Sequence, residues 1–222
     1  KHWQRDFALA REIGVTHIRY GPPLHLVNPA RGEFRWEMVD KPMAELERHG
    51  PEAIIDLCHF GLPSWLGDFQ NPKIAEALGD FAAAFAERFP WVRFYTPINE
   101  MYVTARMSTL DGLWNEQLQE EAAFVTAAFN LVAANVRMIE AILARRPDAI
   151  FIQSESSQLY QACCPDPAVL DRAEFENERR FLPLDLLFAH PVGEKMLGYL
   201  REHGRQGDYR RLMEREVPRR MV

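Results

Sequence analysis

Four short apolar runs, separated by segments of helical spacing, constrain the fold more than any other feature of the sequence. The runs are rich in β-branched and aromatic residues and occupy residues 15–20, 53–58, 92–98 and 149–153. Helical periodicity covers residues 1–14, 36–49, 75–89 and 117–145, and residues 167–222 are largely helical. Strands that alternate with helices predict a parallel sheet covered by helices, because parallel neighbours need a crossover connection.

The loops favour a barrel over an open doubly wound sheet. An open nucleotide-binding sheet places a glycine-rich turn directly after a strand, and the sequence has neither G-x-G-x-x-G nor G-x-x-x-x-G-K-[ST]. The loops after strands are long and those before strands are short, as in barrels that carry functional residues at the strand carboxyl ends. We therefore predict an α/β fold of the (β/α)8 TIM-barrel type.

Four strands are half of such a barrel, which typically has about 250 residues. We expect residues 1–222 to form a single, partial catalytic-type barrel domain that covers about strands two to five. The first strand and the last strands would then lie outside this chain. Open strand edges would make the isolated chain fold poorly and, where soluble, associate as an oligomer.

Composition excludes several other classes of protein. The chain has 222 residues and a formal net charge of −6, which is unsuited to nucleic acid. No run approaches the roughly 20 uninterrupted apolar residues of a membrane span, so we expect no membrane partner. Two of the three cysteines, Cys163 and Cys164, are adjacent and have only Asp166 nearby as a further ligand, so we expect free thiols, no metal and a cytoplasmic location. The sequence calls for no cofactor.

Polar side chains lie at the carboxyl ends of three of the apolar runs or directly after them. Arg19 ends the first run, His59 follows the second, and Asn99 with Glu100 follows the third. Because the carboxyl ends of parallel strands meet at one mouth of a barrel, these groups are expected to converge.

These residues carry a resemblance to family 1 glycoside hydrolases, the β-glucosidase-like retaining glycosidases. The run H-F-G-L-P at residues 59–63 resembles the family's H-W-D-x-P segment after strand three, and T-P-I-N-E-M at residues 96–101 resembles its T-x-N-E-P segment after strand four. Residues 6–20 are similar to its helix and strand that end in Y-R-F-S. The resemblance covers roughly residues 1–160.

The resemblance implies hydrolysis of O-glycosidic bonds in a carbohydrate substrate, a β-glycoside, by double displacement. Glu100 matches the general acid/base, and the nucleophile Glu follows strand seven, outside this chain, which alone is expected to be inactive. Asn99 would hydrogen-bond the sugar 2-hydroxyl, and His59 would bind another hydroxyl of that ring. Arg19 would lie beneath the nucleophile.

Two tryptophans, Trp65 and Trp114, are candidate platforms for apolar sugar faces. Each residue also has a structural alternative: Glu100 as an ion-paired loop acid, His59 as a strand cap, Arg19 as the partner of a structural acid, and the tryptophans as loop anchors.

Departures from the family pattern keep other functions open. Phe60 and Gly61 replace the usual Trp and Asp, and Met101 replaces the usual Pro. The alternatives are another member of the same clan, or a catalytically silent barrel fragment or carbohydrate-binding pseudo-enzyme. Glu155, after the fourth run, is the other strand-end acid with polar neighbours, and we interpret it as a loop acid or a contact of the site residues.

Overall fold

The computed structural model describes residues 2–156, 158–218 and 221. Lys1 and Val222, the ends of the predicted domain, lie outside the described residues. Within that part of the chain, the strands are β1 (His17–Tyr20), β2 (Glu52–Cys58), β3 (Phe94–Ile98) and β4 (Ile150–Phe151). The α-helices are α1 (Trp3–Glu12), α2 (Leu24–Val27), α3 (Glu37–His49), α4 (Ile74–Arg88), α5 (Met101–Thr109), α6 (Glu121–Leu143), α7 (Pro167–Arg179), α8 (Leu182–Phe188), α9 (Glu194–Glu202) and α10 (Gln206–Met213).

The four strands form one parallel sheet in the order β1-β2-β3-β4, which confirms the predicted parallel α/β architecture. Arg19 of β1 pairs in register with Ile54 of β2, and Asp56 of β2 pairs with Thr96 of β3. The last strand is shorter than predicted, although Ile152 still donates a backbone hydrogen bond to Tyr95 at 2.8 Å. All strand carboxyl ends therefore lie at one edge of the sheet.

Helix α5 is the main element that the sequence did not predict. Its residues include two threonines and a valine and lack a clear apolar stripe, so the helical signal is weak. The long helix α6 begins at Glu121, four residues later than predicted. Asn115 and Gln117 have left-handed backbone conformations, with φ of 44° and 53°, which are incompatible with a continuous helix there. Short α2 and a 3₁₀ turn at Ser64–Leu66 were also not predicted.

The chain divides into two compact units. The first comprises the described residues up to Asn99, together with Ala134–Ser154 and Met221. It contains the whole sheet, α1 to α4 and the second half of α6. Helix α3 buries a stripe at helical spacing, Val39, Met43 and Leu46, and contacts both α1 and β2. Helix α3, which connects β1 to β2 in the chain, thus packs against β2.

The second unit comprises Glu100–Ala133 and the described residues from Glu155 onwards up to 218. Helix α7 begins where the Asp166 carboxylate accepts a hydrogen bond from Ala168 N at 2.8 Å, with Pro167 as the first helical residue. The unit also buries an arginine, Arg179, whose guanidinium donates to Glu176 and Glu121, both at 2.6 Å. Its core therefore combines apolar packing with a buried ion-pair cluster.

Helix α6 is the one described helix that is long and apolar enough to cross a membrane. It has 23 residues and a window of mean hydropathy 1.5, and 67 % of that window is buried within the protein. Burial of this extent is typical of a core helix in a globular protein.

Candidate active site

The first unit brings together three polar side chains from neighbouring strands, at or near the carboxyl ends of those strands. Arg19 on β1, Asp56 on β2 and Asn99 directly after β3 occupy neighbouring strands. Arg19 Nη2 lies 3.0 Å from Asp56 Oδ2 and donates to Asn99 Oδ1 at 2.6 Å. The same nitrogen lies 3.3 Å from the hydroxyl of Ser154, which follows β4. One guanidinium group therefore ties the ends of all four strands.

Asn99 has a defined amide orientation within this cluster. Its Oδ1 accepts hydrogen bonds from Arg19 and, at 2.9 Å, from the Ser154 hydroxyl. Because both contacts use the carbonyl oxygen, the amide NH₂ lies on the opposite side of the group. Asn99 is buried, with an exposed fraction of 2 %. The side chain thus presents its donor group in one fixed direction.

His59 is bound to the same carboxylate as Arg19. Its Nδ1 lies 2.5 Å from Asp56 Oδ2, and about half of its side chain is exposed. An ionised carboxylate only accepts hydrogen bonds, so Nδ1 carries the hydrogen. The next residue, Phe60, has a φ of 64°, a left-handed conformation that is costly for a bulky residue. The Phe60 and His59 rings pack edge-on, with their centroids 4.4 Å apart.

Asp56 is a member of the cluster that the sequence analysis missed. It lies inside an apolar strand, and its side chain is only 4 % exposed. The signal was the presence of a carboxylate among Ile54, Ile55 and Leu57, since an isolated buried charge is too costly to occur without partners. A search for charged residues within the apolar runs, and not only after them, would have found it.

A cavity of about 510 Å³ lies over Arg19, Asp56 and His59 within the first unit. Pro23 on the loop after β1 and His25 on α2 also line it, whereas Asn99 is not among its lining residues. A concave space with a few convergent polar groups is the usual form of a small-molecule site.

Trp65 lies in a different cavity of the first unit, of about 280 Å³, together with Asn28 and Lys73. Its indole NH donates to the Asn28 carbonyl oxygen at 2.9 Å, so the ring also anchors the loop after β1. The structure does not place Trp65 in the cavity that His59 and Arg19 line.

The second unit carries Glu100, the predicted acid/base. It follows Asn99 in the chain and precedes α5, and its φ of 43° is left-handed. Such a conformation costs on the order of 1–3 kcal/mol for a residue other than glycine, and such strain clusters at functional sites. The side chain is partly buried.

Glu155 lies near Glu100 in this unit and caps the start of α5. Its Oε2 accepts from Tyr102 N at 2.8 Å, and its Oε1 accepts from Ser156 N at 3.1 Å. Burial raises the pKa of Glu155 to about 7, and the charge of Glu100 adds to the increase. The first backbone NH groups of a helix have no partner within the helix, so the contact of Glu155 with Tyr102 N is structural. The charges of Glu155 and Glu100 also interact.

Trp114 also belongs to the second unit, in the loop between α5 and α6. It is partly buried, and its backbone NH donates to the Met107 carbonyl oxygen at 3.0 Å.

Comparison with known proteins extends the resemblance. The family model described as "Glycosyl hydrolase family 1" matches residues 1–193. A curated relative, the 6-phospho-beta-galactosidase of Staphylococcus aureus (strain JH9), is 31 % identical over 103 residues, which are 43 % of this chain and 22 % of the relative.

Solved structures show the same fold. The β-glucosidase from Thermotoga maritima in complex with deoxynojirimycin superposes with a TM-score of 0.85 at 18 % identity, over 97 % of this chain and 52 % of the other. The same family 1 enzyme in a further structure gives 0.84 over 97 % and 51 %. The chain thus spans about half the length of these structures, with the fold of half a TIM barrel. With the family model matching most of its length, the chain belongs to glycosyl hydrolase family 1.

Proposed function

We propose that this chain is part of a retaining glycoside hydrolase in which Glu100 is the general acid/base. The observation that carries the proposal is the position of Asn99 and Glu100, consecutive residues directly after β3 in a chain of this family. Glu100 donates a proton to the departing glycosidic oxygen and later removes one from the attacking water. The nucleophile in this proposal is a Glu outside this chain.

The sugar-binding roles fall on the cluster in the first unit. Asn99 donates its fixed amide NH₂ to the sugar 2-hydroxyl, a contact that strengthens as the oxocarbenium-like transition state forms. His59 binds another hydroxyl through Nε2, the nitrogen that Asp56 leaves available. Arg19 supplies positive charge near the nucleophile and favours its ionised form. The Arg19–Asn99 hydrogen bond of 2.6 Å supports the idea that these roles are coordinated.

The substrate in this proposal is a β-glycoside. The similar proteins are called a β-glucosidase and a 6-phospho-beta-galactosidase, and both names refer to β-glycosides. Trp65 and Trp114 remain candidates for contacts with more distant parts of the substrate. A cytoplasmic location and an oligomeric assembly remain predictions.

A second candidate is a carbohydrate-binding pseudo-enzyme. It is favoured by Phe60, which stands in place of the family's usual Trp and adopts a left-handed backbone conformation beside His59. In that case the cavity binds a sugar without cleaving it.

The stereochemistry of hydrolysis distinguishes these functions. We expect the full-length protein to release the β-anomer first from an aryl β-glucoside, because two displacements at the anomeric carbon restore its configuration. Proton NMR of the anomeric hydrogen during the first minutes measures this directly. The α-anomer as first product would contradict the retaining mechanism, and binding of the glycoside without turnover would support the pseudo-enzyme.

A further inference from the structure

We propose that Asp56 is the positioning residue that holds His59 and Arg19 in the orientations that their proposed roles require. The proposal deepens the proposed function and rests on it for its kinetic consequences. It concerns a residue in the middle of β2 that is not itself at a strand end. Asp56 acts through its two neighbours and is not proposed to touch the reacting atoms.

One carboxylate oxygen serves both partners. Asp56 Oδ2 lies 3.0 Å from Arg19 Nη2 and 2.5 Å from His59 Nδ1. Its two partners are far more exposed than Asp56, at 35 % and 51 % of their side chains against 4 %. A buried anion thus supports two polar groups at the cavity surface, and charge-assisted hydrogen bonds of this kind are about twice as strong as neutral ones.

The position of Asp56 in the sheet argues against a purely local role. A strand residue packed between parallel neighbours is ordinarily apolar, and its register partner Thr96 is fully buried. Asp56 Oδ1 is buried and has no hydrogen-bond partner among the described residues. An unsatisfied buried oxygen destabilises the fold. Packing alone therefore does not account for a carboxylate here, whereas its contacts with Arg19 and His59 do.

Two consequences follow for the site. Because His59 donates from Nδ1 to Asp56, its Nε2 is the nitrogen available to a sugar hydroxyl, and in the neutral ring it is an acceptor. Because Asp56 holds Arg19, it also determines where Arg19 donates to Asn99, and hence the orientation of the Asn99 amide. Asp56 thereby orients two predicted sugar ligands at once.

Kinetics of the full-length protein on an aryl β-glucoside test the positioning role. We expect Asp56→Ala to lower kcat/KM by about 10- to 100-fold, since small misplacements of binding groups cost this much. Asp56→Asn, which keeps the shape and loses the charge, should lie between Asp56→Ala and wild type. The double variant with His59→Ala should lose less than the product of the two single effects.

The control is Thr96→Val, which changes the buried register partner of Asp56 without removing a contact of Arg19 or His59. It should retain wild-type kcat/KM. Strictly multiplicative effects in the double variant, or equal losses in Thr96→Val and Asp56→Ala, would overturn the proposal even if the protein is an active glycosidase.

Nitrogen NMR gives a readout that does not require activity. In the ¹⁵N-labelled wild type we expect the His59 Nδ1 to be protonated, with its signals assigned by their loss in His59→Ala. In Asp56→Ala the neutral ring should move toward the Nε2-protonated form. A His59 ring protonated only on Nε2 in the wild type, or unchanged in the folded variant, would refute the proposal. An inactive wild-type protein with the expected NMR result would refute the proposed function alone.

Discussion

At the residue scale, Asn99 and His59 are predicted to act on the transition state more than on the fold. In the proposed function, each donates or accepts one hydrogen bond to a sugar hydroxyl, and this bond tightens during reaction and is worth about 1–3 kcal/mol. We expect Asn99→Ala and His59→Ala to lower kcat/KM of the full-length protein by roughly tenfold to a few hundredfold, a loss of transition-state stabilisation that exceeds the accompanying loss of fold stability.

Asn135 provides a matched control. It is another fully buried asparagine of the first unit, and its Nδ2 donates to Gln153 Oε1 at 3.0 Å. Asn135→Ala should lower Tm and leave kcat/KM unchanged. The opposite pattern, a large fall in Tm with normal kinetics for Asn99→Ala and His59→Ala, would show that those residues are structural.

Glu155 gives a pH dependence of stability. Its folded-state pKa of about 7 is above the ordinary value of 4.5, so it binds a proton more tightly when folded. Its contribution is fully present below about pH 4.5 and is lost as pH rises through about 7. Across this pH range the free energy of unfolding should fall by roughly 3 kcal/mol, because each pKa unit corresponds to about 1.36 kcal/mol.

Glu155→Gln removes this titration. Denaturant unfolding between pH 4.5 and 8 should show a free energy of unfolding that falls less steeply with pH than in the wild type. Identical slopes for the two proteins would contradict the raised pKa.

The candidate site was predictable from sequence only where a polar residue lies at the carboxyl end of an apolar run or directly after it. Arg19, His59, Asn99 and Glu100 satisfy that rule. Asp56 does not, because it lies inside its run, and its role depends on Arg19 approaching from another strand. That approach is a tertiary contact between residues 37 positions apart, which periodicity does not encode.

At the scale of elements, the parallel strands and long helices were predictable because burial imposes their periods. Helix α5 was not, since its start is stabilised by Glu155, 53 residues from Tyr102 in the chain. The late start of α6 depends on left-handed residues 115 and 117, which have no glycine to mark them. The local sequence therefore predicts which faces of the helices and strands are buried. Where the helices begin depends in part on contacts with residues distant in the chain.

A buried arginine of α7, Arg179, forms an ion pair with Glu121 at the start of α6. Arg179 is 1 % exposed, pairs with Glu176 and Glu121 at 2.6 Å, and lies over the Phe124 and Phe175 rings. Arg179→Met removes the cation that Glu121 and Glu176 share, although Arg172 still lies 2.5 Å from Glu176. We expect it to lower the free energy of unfolding by about 1–3 kcal/mol, because buried hydrogen-bonding groups lose a partner.

Arg137→Met is the control for removing an arginine from a helix. The Arg137 side chain is 57 % exposed and lies 3.5 Å from Glu140. Loss of this exposed ion pair should lower the free energy of unfolding by less than about 1 kcal/mol. Urea unfolding measures both variants, and comparable destabilisation would contradict the buried cluster as a major contribution.

At the scale of the whole molecule, the parallel sheet places the proposed site residues Arg19, His59 and Asn99 at the ends of neighbouring strands. The sheet aligns four strand ends, Arg19 on the first strand contacts Asp56, Asn99 and Ser154 on or after the other three, and the chain continues from Asn99 into Glu100. The central claim is that this continuation delivers the proton in glycoside cleavage. It requires an intact barrel, so its test uses the full-length protein.

Dependence of the Glu100→Gln variant on the leaving group tests that claim most directly. On a glycoside with a poor leaving group we expect kcat/KM to fall by about 10²- to 10⁴-fold, because general acid assistance is lost. On a dinitrophenyl glycoside, whose leaving group needs no proton, formation of the covalent intermediate should persist as a burst of released phenol. Glu155→Gln, at the neighbouring acid, should affect both substrates equally. An equal loss on both substrates for Glu100→Gln would contradict the acid/base assignment.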